Sequence, residues 1–575
     1  MMRCIFLLLG LLLPIATGFC GTTLRPTRTA VSNSRLVRGR KETVALGASS
    51  RAYDECDVAV MGGGFGGLYT ALQISRESKK KGKNLNVALV DPSDRFVFLP
   101  LLYDLTMGTA SEGEVCPTFN ELLEGTGVRH IRASFDGFSK SSANNNGPSE
   151  AVLTTVCKPV YPEEEQESGD SIYLSFDAAV VAVGATPQSI LASIPGASEL
   201  AQPFYTKEDA YATRELLFRM DQKVRQGESP RIAVVGGGYG GVELSACVAR
   251  RLPKARVTMM SRGPPMAGTK AEPLVEQALK KLGVDCEMND VLEIQKEGNN
   301  KFVIKRSNAE GDNSDNDIDD LWDAVLWTAG SGPSYPIAND VDCELALSSS
   351  GRLRVDKSMR CSFKEEKSAE DASKPASFPS VWALGDCSEI VPASQPATPR
   401  TAQAAMQQAD VVASNVLANI SNRKTDPKTF EFQDLGSMLS LGGPNAAILG
   451  PDEDSQIGSL LVPLLDTARV GLGVADSIFA GIVNSPQIDK NGDLKPVVEN
   501  LGLSLGGYGL GVDPETTPGT LSGTLSGAGR RAVYALRMPT NKQRAYAGAS
   551  AFLSSALALA KEASDQIEKS SEKRR

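Results

Sequence analysis

The chain is poorest in histidine: His130 is the only one among 575 residues. A Ser-His-Asp triad or a histidine-rich metal site would have to use it, and no metal-ligand spacing surrounds it, so hydrolytic triads and metal centres are both disfavoured. Cysteine is present but scattered: none of the ten stands in a C-x-x-C or C-x₄-C pair, which leaves no dithiol motif and no disulfide framework. Aromatic residues make up 6% of the chain, and no segment after the N-terminal leader reaches the roughly twenty apolar residues of a spanning helix. Positive charge is also short. Net charge is −9, yet residues 1–41 hold Arg3, Arg25, Arg28, Arg35, Arg38, Arg40 and Lys41 with no acid, so the rest of the chain is more acidic still. An acidic body does not suit a nucleic-acid partner, whose phosphates call for a basic face.

The basic N-terminus has an order of its own. Arg3 precedes an apolar run from Cys4 to Ile15, and Ala16-Thr17-Gly18 supplies small residues before Phe19. A hydroxylated, arginine-rich stretch follows up to Lys41. A signal-like segment joined to a transit-like one resembles the bipartite leader of algae with secondary plastids, which implies a plastid location.

The folded part begins with a βαβ pattern. Asp57 to Met61 is an apolar run, Gly62-Gly63-Gly64-Phe65-Gly66-Gly67 matches G-x-G-x-x-G, a helical pattern runs to about Lys80, and a second strand ends in Asp91. In that arrangement Gly62 allows the tight turn, Gly64 lets a pyrophosphate reach the backbone, and Gly67 brings helix against strand. Asp91 stands where an acid can bind ribose hydroxyls. The whole pattern recurs 174 residues later: Arg231 to Val235 leads into Gly236-Gly237-Gly238-Tyr239-Gly240-Gly241, and the next strand ends in Ser261-Arg262. There the acid is missing. A small polar residue beside an arginine can accept the 2′-phosphate of NADPH; the alternative is that Arg262 is a solvated charge and another loop supplies the discrimination. The fold expected is α/β with two Rossmann-like dinucleotide-binding domains.

Downstream, Val381 to Leu384 runs into Gly385-Asp386, and Asp177 to Val183 ends in Gly184, while Asp323 to Ala329 ends in Gly330. Gly385-Asp386 resembles the strand that brings an aspartate to the ribityl chain of FAD in two-dinucleotide flavoproteins. That resemblance implies FAD in the first site and NADPH or NADH as co-substrate in the second. Further segments resemble the type II NAD(P)H:quinone oxidoreductases: Ala402-Gln403-Ala-Ala-Met-Gln407, the loop Arg95 to Tyr103 around Pro100 (with Leu99 where many members carry Thr), and Gly241-Val242-Glu243-Leu244. Phe432 to Gly442 and Tyr534 to Thr540 resemble the plastid C1-type branch of that family.

The resemblance implies a prenylated quinone as electron acceptor, with Glu243, Gln403 and Gln407 beside flavin and quinone. Each has a plainer alternative: Glu243 a solvated helix acid, the glutamines caps for the preceding loop. It also implies a C-terminal homodimer and attachment to a thylakoid or plastoglobule membrane surface. The apolar stretch Ala545–Ala560 fits a helix lying on such a surface, packed on a partner subunit, or buried internally. A soluble ferredoxin- or monodehydroascorbate-type reductase shares both fingerprints and is the main competing reading. The domain expectation is a leader at 1–41, an FAD domain at 54–200 and 333–425, a nicotinamide domain at 201–332, and a C-terminal region at 426–575. Four polar stretches, Ser139–Glu150, Glu163–Asp170, Ser307–Asp320 and Glu365–Ser377, read as surface insertions, and no role follows from the Gly-rich region 450–529.

Overall fold

A computed structural model describes residues 52–140, 148–155, 171–298, 301–308, 321–334, 345–362, 380–392, 397–423, 425–442, 446–450, 486–488, 494–496 and 520–553. The leader, the stretches Glu163–Asp170 and Glu365–Ser377, most of the other two polar stretches and of the Gly-rich region, and the end of the apolar C-terminal stretch lie outside these residues.

Strands that are apolar on both faces must be covered on both faces. The central parallel strands of two seven-stranded sheets are built that way. In the first, β1 (Ala52–Met61) lies between β2 (Val87–Val90) and β6 (Ser171–Val181), β3 (Val128–Ile131) flanks β2, and all these pairings are parallel. Val58 to Met61 and Val87 to Val90 are buried, so the β1–β2 pair is core along its length. An antiparallel hairpin, β4 (Ala133–Lys140) and β5 (Pro148–Thr155), pairs with the first half of β6. The second half of β6 pairs in parallel with β12 (Ser380–Ala383), which arrives only after the whole second sheet.

That second sheet repeats the plan: β7 (Arg231–Val235) lies between β8 (Arg256–Ser261) and β11 (Ala324–Trp327), with β9 (Val284–Glu297) beyond β8. Its antiparallel extension is β10 (Lys301–Asn308), and its far edge is the short strand Gln202–Pro203, laid down before β7.

Helices cover the sheets. α1 (Phe65–Lys80) follows the first glycine turn and α2 (Tyr239–Arg251) the second. α3 (Ala402–Ile420) packs along α1. A three-stranded antiparallel sheet, Ser437–Ser440, Ala446–Leu449 and Thr520–Gly523, leads into α4 (Thr524–Leu536) and a further helix, α5, at 541–553.

The C-terminal helices are fastened to the first domain. Tyr534 of α4 packs on Phe98 at 5.5 Å, and Phe98 and Phe96 each meet Phe65 of the first glycine turn at 5.2 Å. Arg530 donates to Asp104 at 2.7 Å and to the Pro100 carbonyl at 3.1 Å, and Arg531 pairs with Glu114 at 2.8 Å. All four charged side chains are buried. On α5, Gln543, Ala547 and Ala551 are buried, with Gln543 donating to the carbonyls of Gly113 and Glu114, while Phe552 and Leu553 are 65% and 61% exposed. The described part of the apolar C-terminal stretch therefore has one face seated on its own chain. No helix among the described residues is long and apolar enough to cross a membrane.

Candidate dinucleotide and electron-transfer site

The two glycine turns are geometrically equivalent. Gly62 N–H donates to Val90 O at 2.7 Å, and Gly236 N–H donates to Met260 O at 2.8 Å, so each turn is tied to the end of the neighbouring strand. Gly62 (φ 100°) and Gly236 (φ 127°) occupy backbone space that side chains disfavour, and a Cβ on either would run into the returning strand, at Ala182 O or the Thr328 hydroxyl. A Cβ on Gly67 or Gly241 would lie 1.8 Å from the carbonyl of Gly62 or Gly236. These four glycines hold helix against turn. Gly66 packs on Leu384.

Gly64 and Gly238 differ from them: a Cβ on either meets nothing within 4 Å. They are also the N-caps of α1 and α2, and neither helix start is capped by a side chain. The helices at Glu112, Phe119, Lys207 and Ala402 begin with a capping Ser or Thr, while those at Leu102, Gln188, Ala197 and Glu272 also lack a side-chain cap, so what sets the two glycine starts apart is the open space before them. Two helix N-termini, each opening on space with its N–H groups uncapped, are what a dinucleotide pyrophosphate requires. The residues present fit FAD in one cradle and NAD(P)H in the other.

Beyond the turns the domains diverge. Asp91 accepts from Gly63 N–H at 2.6 Å and from Ser93 N–H at 2.8 Å. Burial pushes its carboxyl up, and these two donors pull it back toward the charged form. Ser261 takes the same place against Gly237, and its hydroxyl donates to Gly263 O at 2.7 Å. Arg262 pairs with Asp290 at 2.8 Å while remaining 86% exposed, free to reach another anion.

Gly184 and Gly330 follow the returning strands β6 and β11 at φ 71° and 68°. Gly385 stands at φ 75° after β12, and Asp386 beside it is pushed up by burial and held down by Arg400 and Arg352. Pro100 lies in the 3₁₀ turn Leu99–Leu101.

Glu243 is buried on α2, which removes the solvated-acid alternative. It accepts from Ser440 N–H at 2.7 Å and is hydrogen-bonded by Tyr103. Burial raises its carboxyl to about 7, against the pull of the nearby Arg530 guanidinium. An acid poised there can hold or release a proton near neutrality.

The glutamines of α3 part company. Gln403 is half-buried and makes one long contact, 3.5 Å to Gly436 O. Gln407 is buried, donating to Gln433 O at 2.8 Å and accepting from Gln433 N–H at 2.9 Å. Neither expectation describes Gln407 as it stands: its amide holds the segment after α3, not the loop before it, and is already occupied there.

His130 also takes its plain reading. It packs against Phe119 with the ring centres 4.7 Å apart and the planes tilted by 42°, and burial lowers its pKa. No group of acids, cysteines and histidine suited to a metal occurs among the described residues.

The model of the pyridine nucleotide-disulphide oxidoreductases matches residues 56–409. The chain is 34% identical over 411 residues to the alternative NAD(P)H-ubiquinone oxidoreductase C1 (chloroplastic/mitochondrial) of Arabidopsis thaliana, covering 68% of this chain and 72% of the relative. The chain belongs to this family, in its type II branch. It is 32% identical over 399 residues to the demethylphylloquinone reductase NdbB of a Synechocystis strain, covering 68% of this chain and 86% of that one. In fold it is similar to NDH2 of Plasmodium falciparum solved with NADH, with a TM-score of 0.50 at 15% identity, covering 72% of this chain and 94% of the other. No cysteine of this sequence stands in a C-x-x-C or C-x₄-C pair, and the cysteines among the described residues are free.

The reading from sequence missed Asp104, Arg530 and Arg531. Two adjacent arginines in an Ala- and Gly-rich helix were a visible signal, but their partners lie more than 400 residues away.

Proposed function

We propose that the chain carries two electrons from NAD(P)H through FAD to a prenylated quinone at a plastid membrane surface. The observation that carries the redox reading is the pair of equivalent, uncapped glycine cradles in one chain. The quinone follows from the relatives, one named for ubiquinone and the other for demethylphylloquinone, whose shared chemistry is a prenylated ring. The chloroplastic relative and the leader together support the plastid. The exposed Phe552 and Leu553 on α5 support attachment to a membrane. A homodimer through the C-terminal region is part of the same reading.

FAD held by Gly62, Gly64, Gly66, Gly67, Asp91, Gly184, Gly385 and Asp386, with Pro100 on the flavin side, supplies the two-electron relay. Gly236, Gly238, Gly241, Ser261, Arg262 and Gly330 hold the nicotinamide nucleotide. A quinone needs two electrons and two protons to become a quinol, while NAD(P)H delivers two electrons and one proton. The second proton must cross the protein, and Glu243 is placed to hold it at neutral pH. Gln403 offers its amide to a quinone carbonyl.

Stopped-flow absorbance on the purified mature chain tests this. NAD(P)H should bleach the flavin, and a short-chain naphthoquinone or plastoquinone analogue should restore it quickly. Gln403→Ala should slow the restoring step about tenfold and leave bleaching unchanged, as expected when one hydrogen bond to the acceptor is lost. Bleaching that quinone cannot reverse but ferredoxin can would overturn the quinone reading in favour of the soluble-reductase one. For the second cradle, Arg262→Ala should raise KM for NADPH about tenfold and leave NADH unaffected, as loss of one charged phosphate contact implies. Equal effects on both nucleotides would make Arg262 a solvated charge.

A further inference from the structure

The turn Gly385–Cys387 is held by side chains on three sides. The Gly385 N–H donates to Gln408 Oε1 at 2.7 Å, the Gly385 carbonyl accepts from the Ser388 hydroxyl at 3.0 Å, and the Asp386 carbonyl accepts from Arg352 Nε at 3.0 Å. Gln408 and Arg352 are each 5% exposed, so both reach the turn from inside the protein. Neither belongs to the motif that marks the turn: Gln408 comes from α3, and Arg352 from the residue before the strand Leu353–Val355. Three backbone groups of the turn are thus satisfied by side chains of the protein, whereas no hydrogen bond within the described residues holds the Asp386 carboxylate. That carboxylate lies at a cavity also lined by Arg352, Glu389, Arg400 and Gln408.

From this geometry we infer that Gln408 and Arg352 form a clamp that positions Gly385 and Asp386 for FAD, leaving the Asp386 carboxylate as the group that receives the cofactor's hydroxyls. The inference rests on the flavin reading of the first cradle. Gly385 sits at φ 75°, a conformation glycine adopts in many turns, so the peptide needs outside anchors to keep one orientation. The Gln408 bond fixes its N–H, and the Arg352 bond fixes the carbonyl one residue on. Arg352 is itself steadied by the charge of Glu389, which accepts from the Ser348 hydroxyl at 2.7 Å. Gln403, Gln407 and Gln408 therefore reach three different partners within six residues: the Gly436 carbonyl, the Gln433 backbone and the Gly385 turn.

The test compares the holo-protein with Gln408→Leu, Gln408→Glu and Arg352→Met. Equilibrium dialysis gives the FAD dissociation constant, and visible circular dichroism of the bound flavin reports its orientation. Gln408→Leu should weaken FAD about tenfold, the loss of one buried hydrogen bond, and change the flavin dichroism. Gln408→Glu keeps an acceptor for the Gly385 N–H, at a cavity that Arg352 and Arg400 also line, and should stay within about threefold of wild type. Arg352→Met should match Gln408→Leu, which keeps the inference testable if that variant does not fold. FAD affinity and dichroism unchanged in Gln408→Leu, with only the apo-protein melting lower, would reduce Gln408 to a packing residue and overturn the clamp. A Glu variant as weak as the Leu variant would do the same. A wild-type chain that takes up no FAD would overturn the flavin reading and the clamp together, whereas wild-type uptake with indifferent variants overturns the clamp alone.

Discussion

Glu243→Gln is expected to slow quinone-dependent recolouring of the flavin about a hundredfold, the scale of a lost general acid, while leaving bleaching by NAD(P)H near wild type. Its pH profile should change as well. The Glu243 carboxyl lies at about 7, above the ordinary 4.5, so it is protonated below neutrality and ionised above it. A donor of this kind works best below about 7 and fails as pH rises through that value. The wild-type rate of the quinone step should therefore fall with one inflection near neutrality, and the glutamine variant should show none. An inflection that survives in Glu243→Gln would assign the proton to another group. Stability should fall in the same direction, over the interval between the ordinary and the raised value. The folded protein keeps a proton that the unfolded chain releases between 4.5 and about 7, so wild type loses stability as pH rises through that range, and the glutamine variant does not.

Arg530→Met should be the most damaging single change to stability. The substitution leaves Asp104 buried without its 2.7 Å partner and the Pro100 carbonyl without its donor. Breaking one side of a buried ion pair costs about 3–5 kcal/mol, far more than a surface pair of the same length. Urea denaturation of the two proteins measures the difference, and a loss below about 1 kcal/mol would show that the pair is not energetically coupled. A second effect distinguishes this variant from ordinary destabilisation. The Arg530 charge pulls the Glu243 carboxyl downward, so its removal should move the inflection of the quinone step above about 7. An inflection that stays in place would separate the C-terminal helix from the proton path.

Local chemistry made the two cradles legible. Gly62 and Gly236 need a positive φ, Gly67 and Gly241 need the absence of a Cβ, and Asp91 and Ser261 end the strands that follow, so spacing alone located both turns. The burial of Glu243 was less accessible. Its helix carries small and apolar neighbours, but the Ser440 N–H and the Tyr103 hydroxyl that enclose it come from distant parts of the chain. Gln403 and Gln407 share a helix face in the sequence pattern, yet the Gln433 backbone claims only the second. The hairpin β4–β5 was not legible in the sequence, because the polar stretch Ser139–Glu150, expected as a surface insertion, includes the paired ends of both strands. Gln408 and Arg352 carried no motif, since a side chain that serves another residue's backbone leaves no periodic mark.

The pairing of β6 with β12 also has a bearing on how the protein is made. Ala178 and Ser380 are neighbours in the sheet but far apart in order of synthesis, with the entire second sheet translated between them. Gly385 and Asp386 leave the ribosome later still. A nascent chain can complete β7, β8, β9 and β11 as a local unit while the first sheet still lacks an edge strand, because contacts of long sequence separation close late. The nicotinamide cradle can thus mature before the flavin cradle, and the arginines of α4 can seal the Pro100 loop only near the end of synthesis. Flavin uptake becomes a late checkpoint: a chain truncated before Ser380 could bind pyridine nucleotide yet have no complete seat for FAD.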